Sequence, residues 1–411
     1  MSRYDPVLLA CVFVFESRGG PSQTGGDMAM PADRTRSVLE VEELGTRGWK
    51  THLVRAQGDT IRLELRSLSD DLSVPAVLDG LVAAALPFAM TDQATLFVNG
   101  PLTRGALRNF TEFAEAWHSW NPARFHRLHI HAATIVDGRS YTGPHQAVAA
   151  WSGSLRSTHT LIRHATGTVP GAFAIHSALR VIGLHPGDDA TALEPARRAL
   201  AALGLPFSSV QVHTDAPRLM DPEIGALPWI AAALHAVAGG ERIGLHARSR
   251  RCTATQRFPR PGPDLPDCFA GDLQPVRADG GAASPPRMAR DLQPHPALTA
   301  LVSDCHRNPH HQPPCGTCPN CTLLKLAFNA SGIPLPAQLH QPGCLKIATL
   351  PMGNPVWADD AGSILNDWAA RSSARKRALA ARCAIADKAA RAGETARWLA
   401  AIVGLHRPWP R

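Results

Sequence analysis

The chain has 411 residues, of which 45% are hydrophobic and only 18% charged, so it can bury a sizeable core and is long enough for two domains. Its formal charge of +8 rests on arginine, since the only lysines are Lys50, Lys325, Lys346, Lys376 and Lys388; it permits an acidic partner such as a nucleotide without demanding one. No apolar run approaches the roughly 20 residues that span a bilayer, so a membrane-spanning helix is excluded and a cytoplasmic protein is expected.

In chain order, Val7 to Phe15 is a short apolar run behind Asp5 and Pro6 with no small-x-small cleavage site after it, and reads as a buried strand. Ser17 to Thr35 is a Gly-, Ser- and Pro-rich loop. Thr51 to Ser67 reads as a strand pair, with Ile61, Leu63 and Leu65 alternating and Gly58-Asp59 as the turn. Val77 to Met90 is an apolar helix candidate weakened by Gly80 and Pro87, and Ala94 to Val98 a short strand. Ala106 to Trp120 is a helix whose Phe110, Phe113, Trp117 and Trp120 fall mostly on one face, the spacing that core packing produces. Leu128 to Val136 is another strand. This first unit, residues 1–140, is α+β and carries no chemical motif.

Beyond Gly138 strands and helices alternate: strand Ala147 to Trp151, helix from Thr158 to His164, strand Ala172 to Gly183, helix Ala192 to Leu203, strand Val210 to His213, helix Gly225 to Ala238, strand Ile243 to His246. Such alternation implies right-handed βαβ units on a parallel sheet, with ligands at the carboxyl ends of the strands. His176, Asp215, His246 and Arg248 fall near predicted strand ends and are candidates to face that cleft, although each is an ordinary structural or solvated polar residue by default. Phe258 to His295 reads as a Pro- and Gly-rich linker, Pro334 to Pro355 as irregular, and Ser363 to Val403 as an Arg-rich helical tail; no internal repeat is evident.

The first strand-to-helix turn, Ser152-Gly153-Ser154-Leu155-Arg156-Ser157, would present hydroxyls and backbone N–H groups at a helix N-terminus, a setting suited to phosphate. The same pattern also serves as an ordinary helix cap. A second block is more specific. Cys305, Cys315, Cys318 and Cys321 are spaced C-x9-C-x2-C-x2-C, and short turns can aim thiolates so spaced at one tetrahedral zinc ion. Gly316 can take the positive φ of a tight loop, and after Cys321 the apolar spacing turns helical as far as Gly332. His306, His310 or His311 could each replace a thiolate, and disulfides are the alternative use of the cysteines.

These two blocks, Trp151 to Leu161 and CGTCPNCTLLKLAFNASG with Cys305 upstream, resemble those of the PP-loop ATP pyrophosphatase superfamily. Within it they look most like the 7-cyano-7-deazaguanine synthases, the QueC group. The resemblance covers roughly residues 143–332. It implies a Rossmann-like parallel sheet of the adenine nucleotide alpha hydrolase type with a zinc knuckle at 305–321, in a domain spanning 141–335, followed by an irregular and helical segment at 336–411. By the same resemblance Ser152, Gly153, Ser154, Arg156 and Ser157 would bind nucleotide, with ATP and Mg2+ as partners of the reaction. That reaction adenylates a carboxylate, releases pyrophosphate and makes a C–N bond to a deazaguanine-type substrate.

The loop departs from the family's Ser-Gly-Gly-x-Asp-Ser at two positions. Ser154 stands for the second Gly, and Arg156 reverses the charge of the Asp, which makes Arg156 a solvated residue, an anion clamp or the mark of a lost active site. Three readings follow: an active ligase-like enzyme; a non-catalytic, zinc-stabilised relative serving a multi-protein system as a binding or assembly subunit; and, third, a zinc-dependent nucleic-acid binder prompted by Arg371, Arg375, Lys376, Arg377 and Arg382.

Overall fold

The computed structural model describes residues 36–385 apart from several stretches, the largest being 138–145, 185–192, 248–268 and 306–313. The strand expected at Val7 to Phe15, the loop at Ser17 to Thr35, Arg248, the lone Cys344 that the sequence suggests is a structural thiol, the three candidate histidine ligands and the tail beyond 385 lie outside the described residues.

The expected hairpin forms as β2 (Gly48–Val54) and β3 (Thr60–Ser67), antiparallel, with Gly58 at φ 91° in the turn, and β1 (Arg36–Glu43) pairs with β2 on its other side. Then come α1 (Asp79–Ala89), β4 (Thr95–Thr103), α2 (Arg104–Trp120) and β5 (Ile130–Val136). The alternating region follows as β6 (Gln146–Ala150), α3 (Leu155–Ala165), β7 (Ala174–Ile182), α4 (Leu193–Ala201), β8 (Phe207–Thr214), α5 (Leu227–Ala238) and β9 (Ile243–Ala247). The segment read as a linker contains a further strand, β10 (Val276–Asp279), and a helix, α6 (Pro285–Asp291). Pro and Gly had masked both: Pro285 and Pro286 occupy the first helical turn, where a missing N–H is harmless. Short α7 (Pro296–Thr299), α8 (Pro319–Ser331) and α9 (Pro355–Asn366) complete the named helices, and residues 374–385 are also helical.

The ten strands among the described residues join one α/β sheet in the order β10-β9-β6-β7-β8-β3-β2-β1-β4-β5. Pairing is mostly parallel, the exceptions being β1–β2, β2–β3 and the central β3–β8 contact, where Leu63 to Ser67 run against Val210 to Thr214. Counting strands within each half gives the order 3-2-1-4-5 twice: β8-β7-β6-β9-β10 and β3-β2-β1-β4-β5. The halves meet back to back at β3–β8, and α1 after β3 corresponds to α5 after β8. Only β2 breaks the correspondence of direction. It returns by tight connections where β6, β7 and β8 are joined through α3 and α4, and a hairpin forces antiparallel pairing. The repeat is one of topology, which explains why sequence self-comparison does not reveal it.

Two apolar cores lie against the sheet. One contains Leu39, Leu63, Leu65, the α1 and α5 alanines, and the α2 aromatics Phe110, Phe113 and Trp117 with Phe125 and Phe269. The aromatics of α2 are thus core, as their spacing requires. α1 and α5 are buried nearly all round, so small residues let them approach closely; a Cβ on Gly80 would lie 2.8 Å from the Cβ of His235. The glycine that weakened the helix expectation is therefore a packing requirement. The second core gathers Trp151, just after β6, with Leu155, Leu161, Leu324, Phe328 and Ile364 from α3, α8 and α9. Among the described residues no helix is long and apolar enough to cross a membrane.

Candidate functional site

β6 runs into Trp151 and Ser152 at its carboxyl end, beside β9, where the strand order reverses direction. α3 starts at Leu155, three residues before the sequence expectation, because Ser154 caps it: φ is −68°, ψ is 159°, and the hydroxyl accepts the Ser157 N–H at 3.2 Å. Ser154 therefore needs no glycine and costs no backbone strain, whereas Gly153, at φ 78°, uses the left-handed freedom of glycine. The hydroxyls of Ser152, Ser154 and Ser157 form a triangle with edges of 3.0, 3.1 and 3.0 Å. The Ser152 N–H also donates to the Ser157 hydroxyl at 3.2 Å. Behind the loop the Trp151 indole N–H donates to Thr158 at 3.0 Å, fixing strand to helix.

Arg156 is not solvated. Its guanidinium pairs with Asp360 on α9, the two side chains being 23% and 27% exposed, and it also faces Asp304. Burial pushes the Asp304 carboxyl up to about 6; Arg156 and the Leu155 N–H pull against this, and the nearby Asp360 carboxylate and Cys318 sulfur add to it. A second arginine, Arg180 on β7, donates to the Ser152 carbonyl from the other side. Sequence spacing could not have found Arg180, Asp304 or Asp360, which come from 28 to 204 residues away along the chain and meet the loop only through the fold.

Of the other cleft candidates, Asp215 follows β8 and accepts the Arg62 N–H of β3 at 2.7 Å, so it closes the seam between the halves. His176 sits near the start of β7, at the end of the sheet opposite the Ser152 loop, which removes it from the cleft. His246 lies at the carboxyl end of β9, on the loop's side.

The four cysteines Cys305, Cys315, Cys318 and Cys321 converge, with all sulfurs within 4.8 Å of one another and no disulfide among them. A tetrahedral site with metal–sulfur bonds of about 2.3 Å needs sulfur–sulfur edges of about 3.8 Å, so the cluster fits one ion such as zinc. The Cys315 and Cys321 sulfurs are 4.0 Å apart. Gly316 takes φ 69°, and Cys318 is the N-cap of α8, its sulfur accepting the Cys321 N–H at 3.4 Å. The Cys315 and Cys318 N–H groups donate to the Cys305 and Cys315 sulfurs, each at 3.3 Å.

Burial alone would raise the Cys315 thiol, yet the N–H groups of Thr317 and Cys318 hold it below its usual value. The Cys321 thiol is pushed far up, first by its hydrogen bond with Cys318, then by burial and by the Cys318 and Cys305 sulfurs. Crowded sulfurs that resist joint ionisation are what a divalent cation relieves.

The loop and the knuckle are mechanically joined. The Ser303 N–H donates to the Gly153 carbonyl at 2.9 Å, and the Cys305 N–H reaches the Ser303 hydroxyl at 3.4 Å. Three residues, Ser303 to Cys305, thus link the loop backbone to a candidate metal ligand. Lys325 was also missed by the sequence reading: it is 4% exposed, and its Nζ donates to the Gly316 carbonyl at 3.0 Å. Comparison with models of known families, with curated proteins and with solved structures returned no match.

Proposed function

We propose that this chain is a QueC-like protein of the PP-loop type, stabilised by zinc, that binds a nucleotide at the Ser152 loop. The observation that carries the reading is the 3-2-1-4-5 order of β8-β7-β6-β9-β10, with the loop at the carboxyl end of its first strand, at the point where the order reverses. The cysteine cluster packed behind that loop supports the same family, with Cys305, Cys315, Cys318 and Cys321 holding the ion. In this reading the N-terminal N–H groups of α3 and the hydroxyls of Ser152, Ser154 and Ser157 receive a phosphate, while Gly153 lets the backbone approach it. ATP with Mg2+ would adenylate a deazaguanine-type or related carboxylate, to be followed by C–N bond formation.

A specific observation favours the second reading, a binding or assembly subunit without turnover, working with a protein partner. The side chain at the position of the family's Asp is a guanidinium already committed to Asp360 and facing Asp304. It completes an internal charge cluster and leaves no acidic side chain at that position of the loop. Titration calorimetry with ATP and Mg2+, paired with an assay for AMP and pyrophosphate, separates the readings. Binding with product formation supports the enzyme, binding without product supports the subunit, and absence of binding rejects the enzyme and leaves the assembly subunit and the nucleic-acid binder. Arg156→Asp should raise ATP affinity if the loop is a decayed PP-loop; a fall in affinity identifies Arg156 as a phosphate clamp instead.

A further inference from the structure

Donors at the start of α3 are already in use. The Leu155 N–H, the first of the helix, donates to the Asp304 carboxyl. The Arg156 guanidinium pairs with Asp360 and faces Asp304. The Ser154 N–H turns to the Ser152 hydroxyl at 3.3 Å, and the Ser157 N–H to the Ser154 hydroxyl at 3.2 Å. A phosphoryl group arriving here must displace internal acceptors to gain its own contacts. The serines yield readily, because a hydroxyl is donor and acceptor both and rotates to donate to an incoming oxygen. An ionised carboxylate only accepts, so Asp304 cannot turn into a donor and has to move.

Asp304 is also placed where it competes most. It is an anion at a helix N-terminus, in the field that would draw a phosphate. Together with Asp360 it sets two carboxylates against the one Arg156 guanidinium, and the excess negative charge repels a second anion. It rides on the strap Ser303 to Cys305, which lies outside any helix or strand and is tied to the loop by the 2.9 Å bond from the Ser303 N–H to the Gly153 carbonyl. We propose that Asp304 is an autoinhibitory contact of the Ser152 loop: an internal carboxylate that stands where a di- or triphosphate group would bind and is displaced, with its strap, when that group enters. This role rests on the loop being a phosphate site, and it adds a regulator to it. The regulator is the segment that leads to Cys305, so occupancy of the loop is felt at the knuckle.

The test titrates full-length, zinc-loaded parent, Asp304→Asn and Glu115→Gln with inorganic tripolyphosphate and, separately, with ATP, by calorimetry at low ionic strength. Asp304→Asn keeps the shape and loses the charge, and should bind tripolyphosphate about 10–100-fold more tightly than the parent, the effect of one partly screened like charge a few ångströms away. Glu115→Gln removes a charge from α2 in the other half and should stay within about twofold of the parent. Amide exchange in the parent gives a second readout: tripolyphosphate should slow exchange at residues 153–157 and speed it at residues 303–305. If Asp304→Asn does not fold, that exchange pattern decides alone. Equal affinity in Asp304→Asn and parent overturns the autoinhibitory role, while ATP binding to both keeps the nucleotide reading. Slower exchange at both segments overturns the role too, since the ligand would then add without displacing anything. A gain for tripolyphosphate with no preference for ATP supports the role and rejects the nucleotide. Absence of binding by either ligand in every variant overturns both.

Discussion

Replacing Arg156 by Ala asks whether charge holds the Ser152 loop against α9. The substitution strands Asp360 and removes the cation facing Asp304. At 23% and 27% exposure the Arg156–Asp360 pair lies between two regimes. Exposed pairs contribute about 0–1 kcal/mol, and breaking a fully buried pair costs about 3–5 kcal/mol. The intermediate burial gives about 2 kcal/mol for Arg156→Ala. Asp360→Ala should cost less, because Arg156 keeps Asp304 as a partner. In a double-mutant cycle the coupling should then be about 1 kcal/mol. Urea unfolding of the parent, both single variants and the double variant, in zinc-saturated buffer and with unchanged slopes, measures all four corners. A coupling below about 0.3 kcal/mol would refute the argument. So would an Asp360→Ala cost equal to that of Arg156→Ala, because the second carboxylate would then contribute nothing.

Two further outcomes follow from the strap between loop and knuckle. Stripping the metal with a chelator should speed amide exchange at residues 152–157 by about tenfold, the worth of roughly one hydrogen bond, because the Ser303 to Gly153 contact loses its anchor at Cys305; unchanged exchange would show that the strap does not transmit metal loss. Asp304 titrates near 3.8 when unfolded and at about 6 in the fold, so its contribution is fully favourable below the lower value and is lost as pH rises through the higher. Asp304→Asn should therefore gain on the parent as pH rises from about 4 to 6, by about 1–2 kcal/mol after allowance for partial solvent contact, and keep that gain at higher pH; urea midpoints whose difference stays flat or narrows across that window would contradict this.

The parts legible in the sequence were those governed by local rules. The β2–β3 hairpin announced itself by alternation and Gly58, and the α2 aromatics by helical spacing. The four cysteines announced themselves by interval, and their sulfurs do come together. What stayed hidden depends on partners far apart in the chain. Arg156 stays open between a solvated residue, an anion clamp and the mark of a lost site until Asp360 is brought to it, and Lys325 is one lysine among five until the Gly316 carbonyl is seen beside it. Proline misled in the opposite direction, concealing α6 because Pro285 and Pro286 start a helix as readily as they end one. The continuity of the sheet across residue 140 was invisible for the same reason, since β3 and β8 share no local signal.

That seam has a consequence for how the protein can change. Two strand sets of the same order, abutting at β3–β8 with α1 against α5, are arranged as the partners of a symmetric dimer would be, yet one chain supplies both. A covalent tether replaces association by a high effective concentration, so the contact persists at any dilution and needs no self-complementary surface. The two sides are then released from having to match. One has a hairpin where the other has crossover helices, and the other carries the loop and the knuckle, so a substitution on either side is not duplicated across the joint.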